Sequence, residues 1–217
     1  MTASDTPGDG GPPRVLHSGA ALQDARAAMI LVHGRGASAR DIMTVAEEVR
    51  LPGWCFLAPD APGGQWYPSP FTAPLAANEP WLSAALGTVD GLVAEVGAAL
   101  PVERLVLVGF SQGACLTLEY AARNARRYGG VVGLSGGLIG PEDAPRDHPG
   151  SLAGSPVFLG CSDVDPYIPR ERVEQAAVVL GALGGEVTTR LYPGMPHTIS
   201  ADELDLVRAI MESVTGT

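Results

Sequence analysis

The sequence predicts an α/β fold in which a mostly parallel central sheet carries helices on both faces. Short apolar runs rich in β-branched residues alternate along the chain with segments of helical periodicity, and this alternation is typical of parallel sheets. The strand-like runs are residues 14–17, 28–32, 54–58, 104–108, 130–134, 157–159 and 187–192. The helical patterns lie near residues 38–50, 80–99, 111–127, 169–184 and 200–214.

Two of these helices have a recognisable start. Ser38 and Ser200 each stand before a first turn that contains acidic residues, which is the pattern of an N-terminal cap. At 217 residues and 46% hydrophobic content the chain can bury one substantial core, so residues 14–217 are predicted to form a single domain. Residues 1–13 are rich in Gly, Pro and Asp and are predicted to be a disordered tail without signal-peptide features.

Charge and cysteine content narrow the class of protein. The net charge is −10 and the 14 basic residues are scattered, so no nucleic-acid partner is expected. Apolar runs stop at about eight residues, and no membrane insertion is expected. Cys55, Cys115 and Cys161 lie in apolar surroundings and are predicted to be buried free thiols of a cytoplasmic protein.

The strongest chemical signal is Gly109-Phe110-Ser111-Gln112-Gly113, which lies between a predicted strand and a predicted helix. This is the setting of a nucleophile elbow, where a strained turn exposes the serine at the positive end of the helix. Ser135 occupies a second Gly-x-Ser-x-Gly match, but a Gly-Pro pair follows too soon for a helix to begin. We therefore predict that Ser111 is the nucleophile of a serine hydrolase.

A catalytic serine needs a base, and four histidines are available. His197 follows the last predicted strand, so a loop at the carboxyl end of the sheet would carry it toward Ser111. His17 and His148 are expected to be solvated, and His33 is expected to brace a loop by hydrogen bonding. The prediction for the base is His197.

The acid is expected between Ser111 and His197 along the chain. The loop after the sixth predicted strand offers two carboxylates, Asp163 and Asp165. Asp165 precedes a proline, which favours a rigid non-helical loop. Asp165 is the preferred acid and Asp163 the reserve.

An oxyanion hole requires two backbone N–H groups that point at the developing negative charge. Gln112 follows the nucleophile and supplies one. The loop His33-Gly34-Arg35-Gly36 follows an early strand, and its glycines allow close approach, so the N–H of Arg35 is the second. The alternative is that this segment is only a tight turn. No histidine pair shares a face with carboxylates at ligand spacing, so no metal is expected.

Taken together, the motifs at residues 33–36, 109–113, 165–169 and 194–197 resemble the phospholipase/carboxylesterase family of α/β-hydrolases. Acyl-protein thioesterases and small bacterial carboxylesterases belong to that family, and the resemblance covers about residues 14–214. It implies a triad of Ser111, Asp165 and His197 and oxyanion donors at Arg35 and Gln112. It also implies hydrolysis of carboxylic esters or thioesters without a metal or dissociable cofactor, and some relatives are homodimers.

One position departs from the family pattern. Acyl-protein thioesterases often carry Leu where this chain has Arg35. A guanidinium at the mouth of the site would suit a polar or acidic substrate better than a long acyl chain. The alternative is that the Arg35 side chain points to solvent or pairs with an acidic neighbour.

Substrate contacts are predicted from the Pro-rich segment 61–81, which concentrates aromatic residues. Trp66, Tyr67, Phe71 and Trp81 form either an apolar wall or partial lid over the site, or a small cluster that anchors a long loop. The insertion at residues 140–154 is too short for a cap domain, so an open, shallow cleft is expected.

Two other functions compete with an esterase of this family. A dienelactone-hydrolase-like enzyme acting on small acidic esters or lactones would share the fold, but that group characteristically has Cys where this chain has Ser111. A non-catalytic binding protein with a hydrolase fold would not need nucleophile, base, acid and oxyanion donors together.

Overall fold

The computed structural model describes residues 13–216, whose seven strands form one sheet with the order β1-β3-β2-β4-β5-β6-β7. β1 is antiparallel to its neighbour β3 and the remaining pairs are parallel. This confirms the predicted mostly parallel sheet. The strands are β1 (Val15–Gly19), β2 (Ala27–Val32), β3 (Trp54–Pro59), β4 (Leu105–Phe110), β5 (Gly130–Leu134), β6 (Pro156–Ser162) and β7 (Glu186–Tyr192).

Helices cover both faces of the sheet, as the alternating pattern predicted. Those on one face, α2, α3 and α4, pack into one apolar core, and those on the other face, α1 and α5, pack into a second. The helices are α1 (Ala39–Glu48), α2 (Trp81–Ala99), α3 (Gln112–Arg123), α4 (Arg170–Ala182) and α5 (Ala201–Thr215). The interior strands β2 and β3 are buried along their whole length, so the sheet is a rigid base for the loops at its carboxyl edge.

Both predicted N-terminal caps are present. Ser38 caps α1 and Ser200 caps α5, each accepting a hydrogen bond from the backbone N–H three residues on. The carboxylates of Asp41 and Glu203 in turn accept a hydrogen bond from the backbone N–H of the capping residue, which completes two capping boxes.

One helix is longer and more apolar than the short apolar runs of the sequence predict. α2 has 19 residues and a mean hydropathy of 1.3 over its best window, so length and composition alone would let it cross a membrane. Leu82, Val89, Val93 and Val96 instead pack on the sheet in the first core. The sequence predicts this helix but not its span-like hydropathy, because Ser, Thr, Asp and Gly interrupt its apolar runs.

No further layer stands above the carboxyl edge of the sheet in the part of the chain that the structure describes. Residues 135–155, between β5 and β6, contain no helix and no strand. The predicted tail, residues 1–13, lies outside the described residues except for Pro13.

Candidate active site

Ser111 occupies a sharp turn between β4 and α3. Its backbone has φ 55° and ψ −120°, a strained conformation for a residue with a side chain. A Cβ atom at Gly109 would overlap the carbonyl of Gly113, and a Cβ at Gly113 would overlap the carbonyl of Val32. The two glycines of the motif are therefore required for the turn that presents Ser111.

His197 and Asp165 complete a chain of hydrogen bonds that begins at Ser111. His197 Nε2 lies 2.9 Å from Ser111 Oγ, and His197 Nδ1 lies 2.6 Å from Asp165 Oδ2. The side chain of Asp165 is 0% exposed and that of His197 is 16% exposed. The structure thus brings together the three residues that the sequence proposed as nucleophile, base and acid.

The surroundings of Asp165 keep its carboxylate ionised. Burial alone would raise its pKa, but the hydrogen bonds outweigh burial and lower the pKa below the ordinary value. Besides His197, the backbone N–H groups of Tyr167 and Ile168 donate to Asp165 Oδ1 at 2.9 and 3.0 Å. An ionised carboxylate in this place fixes the orientation of the imidazole and stabilises its cation.

Asp163, the reserve acid, lies elsewhere in the same loop. Its Oδ1 accepts a hydrogen bond from the N–H of Gly194 at 2.8 Å, which ties the acid-bearing loop to the loop that carries His197.

Asp165 has a further neighbour that the sequence did not indicate. This is Cys161, whose Sγ lies 3.8 Å from Asp165 Oδ2. Burial raises the pKa of Cys161 to about 12, so it is a thiol that can donate to the carboxylate.

The backbone N–H groups of Arg35 and Gln112 have no acceptor among residues 13–216, and both residues line the cavity that Ser111 borders. Gly34 brings the Arg35 loop against the elbow, since a Cβ atom at Gly34 would lie 3.2 Å from Ser111 Cβ. These are the two donors that the sequence proposed for an oxyanion hole.

His33 braces that loop, as expected. Its Nδ1 hydrogen-bonds the carbonyl of Gly34 at 2.7 Å, and its Nε2 accepts from the N–H of Ala61 at 3.0 Å. This pattern fixes a neutral ring protonated on Nδ1. Burial lowers the pKa of His33, which favours the same neutral form.

Arg35 lines the cavity that Ser111 borders, so its guanidinium is at the site, but its side chain fits neither form of the alternative, solvent or an acidic neighbour. Its guanidinium neither meets an acidic neighbour nor extends freely, but donates four hydrogen bonds to residues 65–69. Three of the acceptors are backbone carbonyls, those of Tyr67, Pro68 and Ser69, and the fourth is Gln65 Oε1. Arg35 is thus a clasp between two loops, a role that sequence spacing could not indicate because its partners lie 30 to 34 residues away along the chain.

A cleft of about 600 Å³ contains Ser111 and His197 in its wall, and we call it the active-site cleft. Of the four aromatic residues predicted to contact substrate, Tyr67 and Phe71 line it. Trp66 is instead an anchor, because its indole N–H donates to the His33 carbonyl at 2.8 Å and its backbone N–H donates to Gln112 Oε1. Trp81, at the start of α2, packs against the first core and is not among the residues that line the cleft.

The comparisons with known proteins agree on one family. The model of the phospholipase/carboxylesterase family matches residues 19–215. The chain belongs to the phospholipase/carboxylesterase family. This confirms the resemblance that the four motifs indicated.

The chain is similar to a protein of known structure and to curated relatives. A phospholipase/carboxylesterase from Dyadobacter fermentans is 42% identical and superposes with a TM-score of 0.88, covering 92% of this chain and 96% of that one. Acyl-protein thioesterase 1 of Gibberella zeae is 34% identical over 54% of this chain, which spans about half (51%) of that protein's length. Acyl-protein thioesterase 1 of Yarrowia lipolytica is 26% identical over 87% of this chain and 92% of that protein.

The active-site cleft also contains residues that the sequence did not indicate. Tyr167, Ile168 and Cys115 line it together with the predicted aromatics. Tyr167 stands with its ring edge-on to His197, the ring centroids 4.9 Å apart, and is 67% exposed. The Pro166 that marked Asp165 also marks this loop, but the sequence does not show which side of the loop faces the cleft.

The remaining candidates lie apart from the cleft. Ser135 follows β5 and is fully buried, and no helix begins after it. His17 is exposed on the edge strand β1, as expected. The prediction for His148 is wrong, because it is half-buried and burial lowers its pKa. Among residues 13–216 no group of three or more His, Cys, Asp and Glu side chains could hold a metal ion.

Proposed function

We propose that this protein is a serine hydrolase that cleaves carboxylic esters, and thioesters, of small or medium acyl groups through an acyl-enzyme on Ser111. The observation that carries the proposal is the hydrogen-bonded chain from Ser111 through His197 to the buried Asp165, placed in the wall of an open cleft. Membership of the phospholipase/carboxylesterase family supports it.

The reaction has two steps of the same kind. Ser111 Oγ attacks the acyl carbon while His197 Nε2 takes its proton, and Asp165 stabilises the resulting imidazolium. The N–H groups of Arg35 and Gln112 hold the oxyanion. His197 then gives the proton to the departing alcohol or thiol, and water repeats the sequence on the acyl-enzyme.

The walls of the cleft favour an apolar acyl group of limited size. Phe71, Pro70 and Ile168 supply apolar surface, and a volume of about 600 Å³ suits a small to medium chain. The guanidinium of Arg35 already donates to four protein oxygens, so a carboxylate on the substrate is not needed to satisfy it. This disfavours the dienelactone-hydrolase-like alternative and its small acidic substrates.

Thioester cleavage is included because the curated relatives are named acyl-protein thioesterases. A non-catalytic role is disfavoured, because such a protein has no need of a strained serine with an aligned imidazole and a buried carboxylate.

The site requires a small-molecule ester or thioester and no metal or dissociable cofactor. We also propose a cytoplasmic location, which the three buried free thiols support, since an oxidising compartment would favour paired cysteines. A homodimer remains an expectation from the family resemblance.

The test is hydrolysis of p-nitrophenyl acetate, butyrate and octanoate, with the corresponding acyl thioesters measured in parallel. Purified wild type should hydrolyse the short and medium esters, and Ser111→Ala should lose at least a thousandfold in kcat. A folded wild type that hydrolyses none of these substrates would contradict the proposal. Equal rates in wild type and Ser111→Ala would show that Ser111 is not the nucleophile.

A further inference from the structure

A second cavity lies on the other side of His197 from the active-site cleft. It has a volume of about 400 Å³ and runs along α1 toward the N-terminal end of α5. His197 is in the wall of both cavities, whereas Ser111 and Gln112 line the active-site cleft and not this one. We call it the α1 groove.

We propose that the α1 groove binds the leaving-group half of the substrate and selects an alcohol with an apolar body and a cationic end. The proposal rests on the proposed function, since it divides one ester between two cavities. It adds a specificity site to the reaction without changing the roles of Ser111, His197 and Asp165.

The chemistry of acylation assigns the two halves. The bond from Ser111 Oγ to the acyl carbon forms as the bond from that carbon to the alcohol oxygen breaks. His197 Nε2 delivers to that oxygen the proton it took from Ser111. The acyl half must therefore lie beside Ser111 and the oxyanion donors, in the active-site cleft. The alcohol oxygen must lie within reach of His197, and the groove is the second space that the His197 ring borders.

The floor of the groove suits an apolar alcohol. Ile42 and Val45 of α1 are buried beneath it, and Ile199 and Leu204 close it from the side of α5. Phe110 stands at the inner end, where its ring lies 4.9 Å from the His197 ring. An alkyl chain that extends from the reacting oxygen would cover these side chains and exclude water from them.

The rim of the groove carries negative charge. Asp41 and Glu48 line it, and no arginine is among its lining residues, all of which lie in the described part of the chain. The Asp41 carboxylate is engaged by the Ser38 backbone and hydroxyl, and these hydrogen bonds lower the pKa of Asp41. His33 also faces the groove, but burial lowers its pKa and favours the neutral ring. The charged side chains in the lining are therefore two carboxylates, while Arg40 beside Asp41 and Arg208 at the Glu48 carbonyl lie outside the lining.

Glu48 is the carboxylate that is free to meet a ligand. Its side chain is exposed and has no hydrogen bond or ion pair with any of residues 13–216. Arg208 contacts the backbone carbonyl of Glu48, but it is outside the lining of the groove. A cation on the alcohol would thus find Glu48 unpaired at the end of an apolar floor.

A matched pair of esters tests the charge selection. Butyrylcholine and 3,3-dimethylbutyl butyrate share the acyl group and the shape of the alcohol, and differ in one positive charge. The wild type should prefer the choline ester by about 3- to 10-fold in kcat/KM at low ionic strength, and salt should reduce this preference. Glu48→Gln should bring the ratio close to one while the neutral ester keeps its rate within about twofold.

Glu47→Gln is the matched control, because it removes the same charge from the same helix. Glu47 is exposed and does not line the groove. An equal loss of preference in Glu47→Gln would show that the overall charge of −10, and not the groove, attracts the cation.

A second variant tests occupancy without charge. Thr44 is exposed at the groove, so Thr44→Trp should fill it without disturbing the core. We expect Thr44→Trp to lower kcat/KM for octyl acetate at least fivefold and to leave methyl acetate unchanged. The groove is not the leaving-group site if Glu48→Gln keeps the wild-type ratio of choline to neutral ester and Thr44→Trp keeps the wild-type ratio of octyl to methyl acetate. Absence of hydrolysis of every ester would instead contradict the proposed function itself.

Discussion

Arg35 lies in the loop between β2 and α1 and Gln112 is the first residue of α3, yet their side chains donate hydrogen bonds to the same atom. Arg35 Nη2 and Gln112 Nε2 each lie 2.8 Å from the carbonyl oxygen of Tyr67. The backbone N–H groups of these two residues are the proposed oxyanion donors. The Tyr67 carbonyl therefore sets the position of both residues that supply the proposed oxyanion donors.

Replacing Arg35 with Met tests this coupling. Arg35→Met keeps the backbone N–H but removes the four hydrogen bonds to residues 65–69, so the loop should shift by a fraction of an ångström. We expect kcat/KM to fall by about tenfold, equivalent to roughly 1.4 kcal/mol in the barrier. A neutral ester and a carboxylate-bearing analogue should lose rate alike.

The control is Arg40→Met, which removes the same charge from an exposed position on α1. A loss in Arg35→Met that is confined to the carboxylate-bearing ester would show that the guanidinium recognises the substrate, contrary to the clasp role.

The choice between Asp163 and Asp165 can be decided by amide substitution. Asp165→Asn retains the shape of the side chain but removes the charge beside His197 Nδ1, so kcat should fall by about 10³- to 10⁴-fold. Asp163→Asn retains an acceptor for the N–H of Gly194 and should cost less than tenfold. Steady-state rates on one chromogenic ester measure both. A larger loss in Asp163→Asn than in Asp165→Asn would reverse the assignment.

Glu203 predicts a dependence of stability on pH that is independent of the reaction. Its side chain is fully buried at the start of α5, and burial raises its pKa above the ordinary 4.5 although hydrogen bonds from Ser200 oppose this. One carboxyl oxygen, Oε1, has no hydrogen-bond partner in the described chain. The stabilisation by Glu203 is complete below about pH 4.5 and is lost as the pH rises through the folded-state pKa.

Thermal unfolding of Glu203→Gln checks the sign. The difference in Tm, wild type minus variant, should fall by a few degrees from pH 4 to pH 7, since 1 kcal/mol corresponds to roughly 2–4 °C for a chain of this size. Asp165 has a lowered pKa and acts in the opposite sense, losing its stabilisation in more acidic solution, but it is the same in both proteins. For the control Asp205→Asn, an exposed change in the same helix, the difference in Tm from wild type should be the same at pH 4 and pH 7. A difference that rises with pH would contradict a raised pKa.

The local features of the fold were predictable because they depend on neighbours in sequence. Within residues 13–216, all seven strands and all five α-helices appear where periodicity placed them, within a few residues at the ends. The caps at Ser38 and Ser200 require residues only three positions apart. The elbow at Ser111 could be distinguished from the match at Ser135 because a helix follows the first and not the second.

The contacts that the sequence did not reveal join distant segments. The side chain of Gln112 holds Trp66 and Tyr67 from more than 40 residues away, and Arg35 reaches the same segment from another loop. Neither contact has a periodic signature. The aromatic residues divide between the two predicted roles, because Tyr67 lines the cleft while Trp66 anchors the loop.

Burial of polar groups was the least predictable property. His148 lies in a loop of polar and Gly/Pro residues, a composition that is typical of solvated segments, yet it is half-buried and its Nε2 has no hydrogen-bond partner among the described residues. The charge of Glu119 in α3 is likewise buried, where Arg123 and Arg146 pair with it. Such clusters depend on how loops pack onto helices, which composition does not report.

The central claim is that Ser111 is an activated nucleophile, and intact mass after treatment with a fluorophosphonate tests it most directly. Wild type and Ser135→Ala should each gain the mass of one adduct, and Ser111→Ala should gain none while retaining the Tm of a folded protein. Labelling that persists in Ser111→Ala, or a folded wild type that is not labelled, would contradict the claim.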